Sequence, residues 1–237
     1  MMPRTGRRRP SAAGRDPVRP TEARPPVDVP SDDDATVTAV NDDDWLSDQS
    51  ISGLDLSDGQ IRGLTLERTV LKGADLSGLR LEGLRLIDVV FDTCDLSNLV
   101  LVEPSMVRVE WRDSRMTGLT FESGRLEDVR FTGCRGTVVS FIDVGANRFT
   151  VEGCQWPEAD FRATTLDHLS VHDSALPTSQ WMRARLSTAR FTATDLTDVQ
   201  GGTGLAGASF DTATMLSAAA GMAHALGISV WDIEPQG

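Results

Sequence analysis

Large apolar residues recur at every fifth position from Leu46 to Leu196. The phase holds for 31 consecutive positions, and 29 of them are large and apolar, the exceptions being Gly136 and Ala146. On an α-helix, which turns about 100° per residue, a step of five would scatter these residues around the axis and leave no apolar stripe. The pattern therefore excludes a helix for most of the chain.

The residues around each apolar centre predict a short strand followed by a corner. With the centre called position i, position i−2 is small or apolar and position i−1 is mostly polar. In an extended segment, i−2 and i point to one face and i−1 to the other. Position i+2 is Gly, Asp or Asn in 17 of the 31 units, and these residue types tolerate turn dihedrals. Short strands joined by corners at a fixed period predict a solenoid with a filled interior.

Four pentads carry a resemblance to a known family. Residues 74–78 read Ala-Asp-Leu-Ser-Gly, and residues 94–98, 159–163 and 194–198 are close to the same pattern. This resembles the pentapeptide-repeat family, whose pattern is a small residue, Asp or Asn, Leu or Phe, a polar residue, and Gly or a polar residue. The resemblance covers roughly 45–200. It implies an all-β solenoid, a right-handed quadrilateral β-helix of about eight coils with four pentads per coil. At about 4.8 Å per rung the rod would be roughly 35–40 Å long.

With four pentads per coil, each centre would lie directly above the centre 20 residues before it in the sequence. Sorted in this way, most aromatic centres fall on two opposite walls, where we expect their rings to stack along the axis. One wall holds Phe91, Trp111, Phe131 and Phe191, and the other holds Phe121, Phe141, Phe161 and Trp181. Gly136 falls below Trp156 in a column of Leu and Met, which predicts an exchange of small for large side chains.

The three cysteines, Cys94, Cys134 and Cys154, all fall in a single inward i−2 column. Cys134 and Cys154 would lie on successive rungs, within the Cα distance that a disulfide allows. One interpretation is a redox latch or a metal site, although no His or acidic residue lies in that column to complete a metal shell. The other is three buried, reduced thiols in a cytoplasmic protein.

Residues 1–44 are predicted to be a disordered charged tail. The segment holds seven prolines and few large apolar side chains, so it cannot offset the entropy lost on ordering. Its charge is sorted, with a net +5 over residues 1–27 and a net −7 over residues 28–44. The arginines at 7–9 are not followed by an apolar run, so we expect no signal peptide. A solvated tail and a contact with nucleic acid or an anionic membrane are both compatible with this composition.

Residues 201–237 are predicted to form a C-terminal cap. A helix over about 212–226 would begin at Asp211 or Thr212 and end at Gly227, and a short strand could follow over 228–231. The apolar stripe of this helix would comprise Met215, Leu216, Ala219, Met222, Ala223 and Leu226. It would either close the open end of the solenoid or form a homodimer face, as in relatives that dimerise through the C-terminal end. A monomer and a homodimer therefore both remain open.

The sequence contains no arrangement of residues that is typical of a catalytic site. His168 and His172 fall at corners, where they would not share a face as metal ligands. No Gly-rich phosphate loop lies between a strand and a helix, and a rod with a filled core has no cleft for a substrate. No run of 18 apolar residues is present. We therefore expect no enzyme, no cofactor, no metal and no membrane span.

Charge limits the choice of partner. Residues 45–237 carry 26 acidic and 16 basic residues, a net −10 that argues against direct DNA binding by the rod. The face centred on Leu56, Leu76 and Leu96 holds the excess, with Arg115 and Arg135 as its only bases. Its acidic residues are Asp55, Asp58, Asp75, Asp95, Glu158, Asp195 and Asp198.

Two function classes remain open. One is a non-enzymatic interaction scaffold that binds an unknown protein partner. The other is implied by the resemblance: a DNA mimic that modulates a type II topoisomerase, DNA gyrase, through the acidic face. Arginines at outward i−1 positions weigh against a continuous mimic, because they interrupt the acidic face.

Overall fold

The computed structural model describes residues 39–229. Most of the tail predicted over 1–44 therefore lies outside the described residues. So does the second half of the strand expected over 228–231, and residues 228 and 229 are not in a strand.

A β-solenoid of about eight coils, built from parallel strands, runs from Trp45 to Phe210. We number its strands β1 to β15 in chain order. Within the described residues the larger sheet has ten strands, and most of them cover two adjacent faces of one coil. They are β1 (Trp45–Ser52), β3 (Thr65–Lys72), β5 (Arg85–Asp92), β7 (Ser105–Arg112), β9 (Arg125–Thr132), β11 (Gly145–Glu152), β12 (Thr165–His172), β13 (Arg185–Leu186), β14 (Ala189–Thr192) and β15 (Ala208–Phe210).

A second sheet, of short strands, forms another wall. Its strands are β2 (Gln60–Arg62), β4 (Arg80–Glu82), β6 (Val100–Val102), β8 (Thr120–Glu122) and β10 (Ser140–Ile142). The remaining wall is held by isolated parallel bridges, the first of which pairs Asp55 with Asp75.

Through most of the rod, paired residues lie four pentads apart in the sequence. Trp45 pairs with Thr65, Asp55 with Asp75, and Gln60 with Arg80. Each coil therefore has four faces of one pentad each. We call them face 1 (centre Leu46 and every fourth centre after it), face 2 (from Ile51), face 3 (from Leu56) and face 4 (from Ile61). The predicted β-solenoid of about eight coils is confirmed.

Almost every corner uses a left-handed backbone conformation. From Asp48 to Asp198, every position i+2 except Thr188 has φ between 44° and 72°, and glycine occupies only eight of these corners. For a residue with a Cβ this conformation costs roughly 1–2 kcal/mol. The exception, Thr188, lies between β13 and β14. The predicted turn at i+2 is confirmed, and residue type alone does not determine it.

The core is a filled stack of the apolar centres. Phe91 and Trp111 lie parallel with ring centroids 3.9 Å apart, and Phe161 and Trp181 stack at 4.3 Å. Rings from opposite walls also meet edge to face, as Trp111 does with Phe121 at 6.2 Å. The predicted aromatic columns are confirmed.

Gly136 is the one centre of face 3 that has no side chain. The ring of Trp156, one coil further on, is fully buried and meets Phe131 edge to face at 5.1 Å. A Cβ at Gly136 would lie 2.6 Å from the backbone nitrogen of Thr117 and 2.7 Å from the carbonyl oxygen of Met116. The backbone of this pentad therefore sits too close to the preceding coil for any side chain.

The inward i−2 column of face 3 holds small residues. Cys94, Cys134 and Cys154 are buried free thiols. Burial raises the pKa of Cys94 to about 11, and burial also raises the pKa of Cys154. In the same column, the hydroxyl of Ser114 accepts a hydrogen bond of 3.1 Å from the backbone N–H of Cys94. The hydrogen bond from the Cys154 thiol lowers the pKa of Cys134, and all three thiols are packed in the core.

The last coil is one residue shorter than the others. Ala189 pairs with Ala208 and Phe191 with Phe210, whereas Leu169 pairs with Ala189 in the coil before. A 3₁₀-helix, η1 (Gly202–Leu205), precedes β15, and helix α1 (Thr212–Ala225) follows it. Asp211 caps α1 by accepting a 2.8 Å hydrogen bond from the N–H of Thr214, which decides between the two cap residues that the sequence left open.

Candidate binding surfaces

Face 3 carries the acidic side chains in a row that is interrupted in its middle. Parallel bridges place Asp55, Asp75, Asp95, Arg115 and Arg135 on five consecutive rungs. The row continues with Gln155 and Ala175 before it returns to an acid at Asp195. At about 4.8 Å per rung, five rungs separate Asp95 from Asp195 by roughly 24 Å. The structure therefore sets the acids in two groups.

The aspartates of this row also build the corner that follows them. The carboxylate of Asp95 accepts hydrogen bonds from the N–H of Ser97 at 3.0 Å and from its hydroxyl at 2.6 Å. Asp55 and Asp195 accept equivalent pairs of bonds, and Asp75 accepts the N–H of its own corner serine. The hydrogen bond from the Ser57 N–H holds the pKa of Asp55 below its usual range. In each case only one carboxylate oxygen takes part in the corner, and the other points away from it.

The seven residues of the predicted acidic face differ in their exposure. Asp75 and Asp95 are half-buried. The other five are exposed: Asp55, Asp58, Glu158, Asp195 and Asp198. Whether this face binds anything stays a prediction.

Face 1 carries a charge ladder that the sequence analysis missed. Its i+2 corners alternate in sign from coil to coil, and each arginine reaches back to the aspartate of the preceding coil. Arg108 binds Asp88 through Nε–Oδ1 and Nη2–Oδ2 contacts of 2.6 Å each. The complete ladder is Asp48, Arg68, Asp88, Arg108, Asp128 and Arg148. Bidentate pairs of this kind are the strongest hydrogen-bonded ion pairs.

The ladder is partly shielded from water in its middle. The side chains of Asp88 and Asp128 are only 14% and 8% exposed. Hydrogen bonding to Asp88, together with the charges of Asp88 and Asp128, raises the pKa of Arg108. At the more exposed end, the hydrogen bond from Arg68 lowers the pKa of Asp48. The Asp48 pair therefore stabilises the fold above the ordinary carboxyl pKa, and this contribution is lost as pH falls through the lowered value.

Helix α1 docks on the last coil through small and hydroxyl-bearing residues. Thr214 and Ala218 are fully buried. The N–H of Thr194 donates to the Thr214 hydroxyl at 2.9 Å, and the N–H of Leu196 donates to the Ser217 hydroxyl at 3.0 Å. The helix thus provides hydrogen-bond acceptors for backbone N–H groups of the last coil, which a further coil would otherwise supply.

The predicted cap or dimer stripe of α1 lies mostly on the other side. Met215, Leu216, Ala219 and Leu226 are exposed, whereas Met222 and Ala223 are half-buried. Met222 packs against the core cluster. The use of this stripe as a dimer face stays a prediction.

The histidines do not form a metal centre. His172 lies 3.7 Å from Glu152 and 3.4 Å from Asp173, and His168 lies 4.0 Å from Asp167. Within residues 39–229 there is no group of three His, Cys, Asp or Glu side chains that could hold a metal ion. In the same part of the chain, no helix is long and apolar enough to cross a membrane.

The pairing of residues four pentads apart, the four one-pentad faces and the left-handed i+2 corner decide the class of fold. This is a four-faced β-solenoid of five-residue repeats. The predicted resemblance is thereby confirmed at the level of the fold.

Solved structures similar to this chain include the following two. A trypsin-treated variant of QnrB1, a plasmid-mediated fluoroquinolone resistance protein, is 21% identical and aligns over 76% of this chain and 99% of its own, with a TM-score of 0.30. HetL, a pentapeptide-repeat protein involved in heterocyst differentiation regulation from the cyanobacterium Nostoc, is 16% identical over 74% of this chain and 78% of its own, with a TM-score of 0.35. No family model matches the chain, and no curated protein matches it significantly.

Proposed function

We propose that this pentapeptide-repeat solenoid acts without catalysis, by binding a protein partner along face 3. The observation that carries the proposal is the row Asp55, Asp75 and Asp95, which presents three carboxylates at one-rung intervals on a rigid wall. Each carboxylate is oriented by its corner hydrogen bond, so little side-chain entropy is lost when a partner binds. A complementary partner surface would be basic.

Site-specific photocrosslinking in the native host tests this proposal. A photoreactive residue at the exposed position Asp58 reports on face 3, and one at exposed Lys72 reports on face 2. We expect a discrete protein adduct from the probe on face 3 and none from the probe on face 2. The adduct should disappear when Asp55, Asp75 and Asp95 are all replaced by asparagine. An unchanged adduct in that triple variant would contradict the proposal.

The same row supports a second candidate, modulation of DNA gyrase by mimicry of DNA. Duplex DNA carries one charge per about 1.7 Å of its axis. The row on face 3 offers one charge per rung, about 4.8 Å, and it reverses sign at Arg115 and Arg135. A mimic built in this way would be limited to the first three coils and sensitive to salt.

A gyrase supercoiling assay with purified protein at two salt concentrations tests the second candidate. Salt-sensitive inhibition that is lost in the Asp55, Asp75 and Asp95 triple asparagine variant would support mimicry. No inhibition at micromolar protein would rule it out while leaving the crosslinking result unaffected.

A further inference from the structure

The middle of face 3 has donors where the neighbouring coils have acceptors. In the first three coils an aspartate at i−1 accepts the N–H of the serine at i+1. Arg115 and Arg135 occupy that same row, so the corner residues Thr117 and Thr137 have no such carboxylate. Among residues 39–229 no hydrogen bond is formed by the N–H or the hydroxyl of either threonine.

The two arginines are also poorly neutralised. Nε of Arg115 lies 3.9 Å from Oδ2 of Asp95, at the limit of an ion pair, and no ion pair of Arg135 occurs within the described part of the chain. The Arg115 side chain is 71% exposed. Their backbones pair directly on successive rungs, about 4.8 Å apart, so two positive charges stand side by side.

A shallow recess, largely open to solvent, lies between these groups. It has a volume of about 320 Å³ and is lined by both arginines, both threonines and Gly136, with Gln155 and Pro157 on its far side. Gly136 has no side chain and is half-buried, whereas the other centres of this face in neighbouring coils, such as Met116 and Trp156, are fully buried. Part of the Gly136 backbone is therefore accessible to the recess, beside the two arginines and the two threonines.

We propose that this recess binds a phosphate-class oxyanion. Two guanidinium groups supply two positive charges and forked donors that match the geometry of a phosphate. The N–H and hydroxyl groups of Thr117 and Thr137 would donate to the same oxygens, taking the place of bonds that aspartates accept in the other coils. A doubly charged oxyanion balances both arginines, whereas a single carboxylate balances one.

Titration with inorganic phosphate, followed by ¹H–¹⁵N NMR of the full chain, tests the proposal. The amide signals of Thr117 and Thr137 should move to a saturable end point, because their N–H groups gain an acceptor. The amides of Ser77 and Ser97 already donate to carboxylates and provide an internal control that should not move. Sodium acetate and sodium chloride at matched ionic strength should produce no saturable shift.

Three outcomes would overturn the proposal. One is the absence of saturation with phosphate at tens of millimolar. Another is an equal response to acetate, which would remove the preference for a dianion. The third is a shift that spreads over all faces, which would show general charge screening.

Variants separate binding from folding. Arg115→Gln and Arg135→Gln should each weaken phosphate binding by about tenfold or more, which corresponds to the loss of one charge-assisted contact. Arg125→Gln on face 1, where Arg125 also forms no ion pair within the described residues, is the matched control and should leave the affinity unchanged.

Arg135→Asp keeps the proposal falsifiable if the other variants fold poorly. This change supplies the carboxylate that the Thr137 corner lacks, so the melting temperature should stay the same or rise. The phosphate response should nevertheless be lost. A variant that is folded and still binds phosphate as the wild type does would refute the assignment.

Discussion

Replacing Gly221 by alanine tests how helix α1 closes the solenoid. In the middle of an exposed helix this change would stabilise the protein by about 1 kcal/mol, because glycine is a poor helix former. At position 221, however, a Cβ would lie 2.8 Å from Cγ1 of Val199 and closer still to the Val199 carbonyl oxygen. The backbone of the last coil cannot yield as a flexible side chain can, so the helix must move away.

The cost of that movement follows from the docking contacts. Displacement by about 1 Å forfeits a quarter to a half of the dispersion contacts of the buried Ala218. It also stretches the bonds from the N–H groups of Thr194 and Leu196 to the hydroxyls of Thr214 and Ser217. Each of these bonds is worth about 1 kcal/mol. After subtraction of the gain in helix propensity, we expect a net loss of about 1–2 kcal/mol.

Two measurements check whether Gly221→Ala lowers the stability of the protein. Urea unfolding followed by circular dichroism gives the change in the free energy of unfolding. Hydrogen exchange of the Thr194 and Leu196 amides should accelerate, while exchange in the first coils should not. Ala219→Gly, on the exposed side of α1, is the control and should cost about 1 kcal/mol through propensity alone. If Gly221→Ala increases stability by about 1 kcal/mol, the close packing against Val199 is wrong.

Three further predictions concern the rod itself. Arg108→Gln should cost about 1–2 kcal/mol in urea unfolding, because it leaves the shielded Asp88 carboxylate without its partner, whereas Arg125→Gln should change stability by less than about 0.5 kcal/mol. The native protein should not react with a thiol reagent at pH 8, since Cys94, Cys134 and Cys154 are all buried, and the unfolded protein without reductant should show three free thiols. Insertion of one residue beside Leu96 should shift every downstream side chain out of phase and abolish cooperative unfolding, so a variant that unfolds normally would contradict the solenoid.

The repeat and the column order could be predicted because both depend on spacing alone. A step of five identifies the centres, and a step of four pentads places Phe91 against Trp111 with no knowledge of the backbone. The charge ladder was missed for a different reason. Asp88 fits the turn-forming pattern at i+2 and Arg108 departs from it, although both occupy the same left-handed corner. Sorting the corner positions coil by coil reveals the alternation of sign.

The docking side of α1 was hard to predict because it contradicts the usual rule for amphipathic helices. A helix that lies on a layer of side chains buries its large apolar residues. Helix α1 instead lies against backbone groups at the end of the rod, where close approach favours Ala218 and Gly221. The apolar side chains of Met215 and Leu216 are exposed to solvent instead.

The alternation of charge along face 1 gives the rod a second structural period, which is two coils long. The apolar core repeats every coil, so the loss or duplication of a single coil would leave its phase intact. The ladder of Asp48, Arg68, Asp88 and Arg108 repeats only every two coils. Loss of the one coil that contains Asp88 would place Arg68 directly against Arg108, in a position where like charges repel. Within residues 48–148, which the ladder spans, a gene encoding this rod could therefore lengthen or shorten it without an electrostatic penalty only by pairs of coils, although the core would accept one coil at a time.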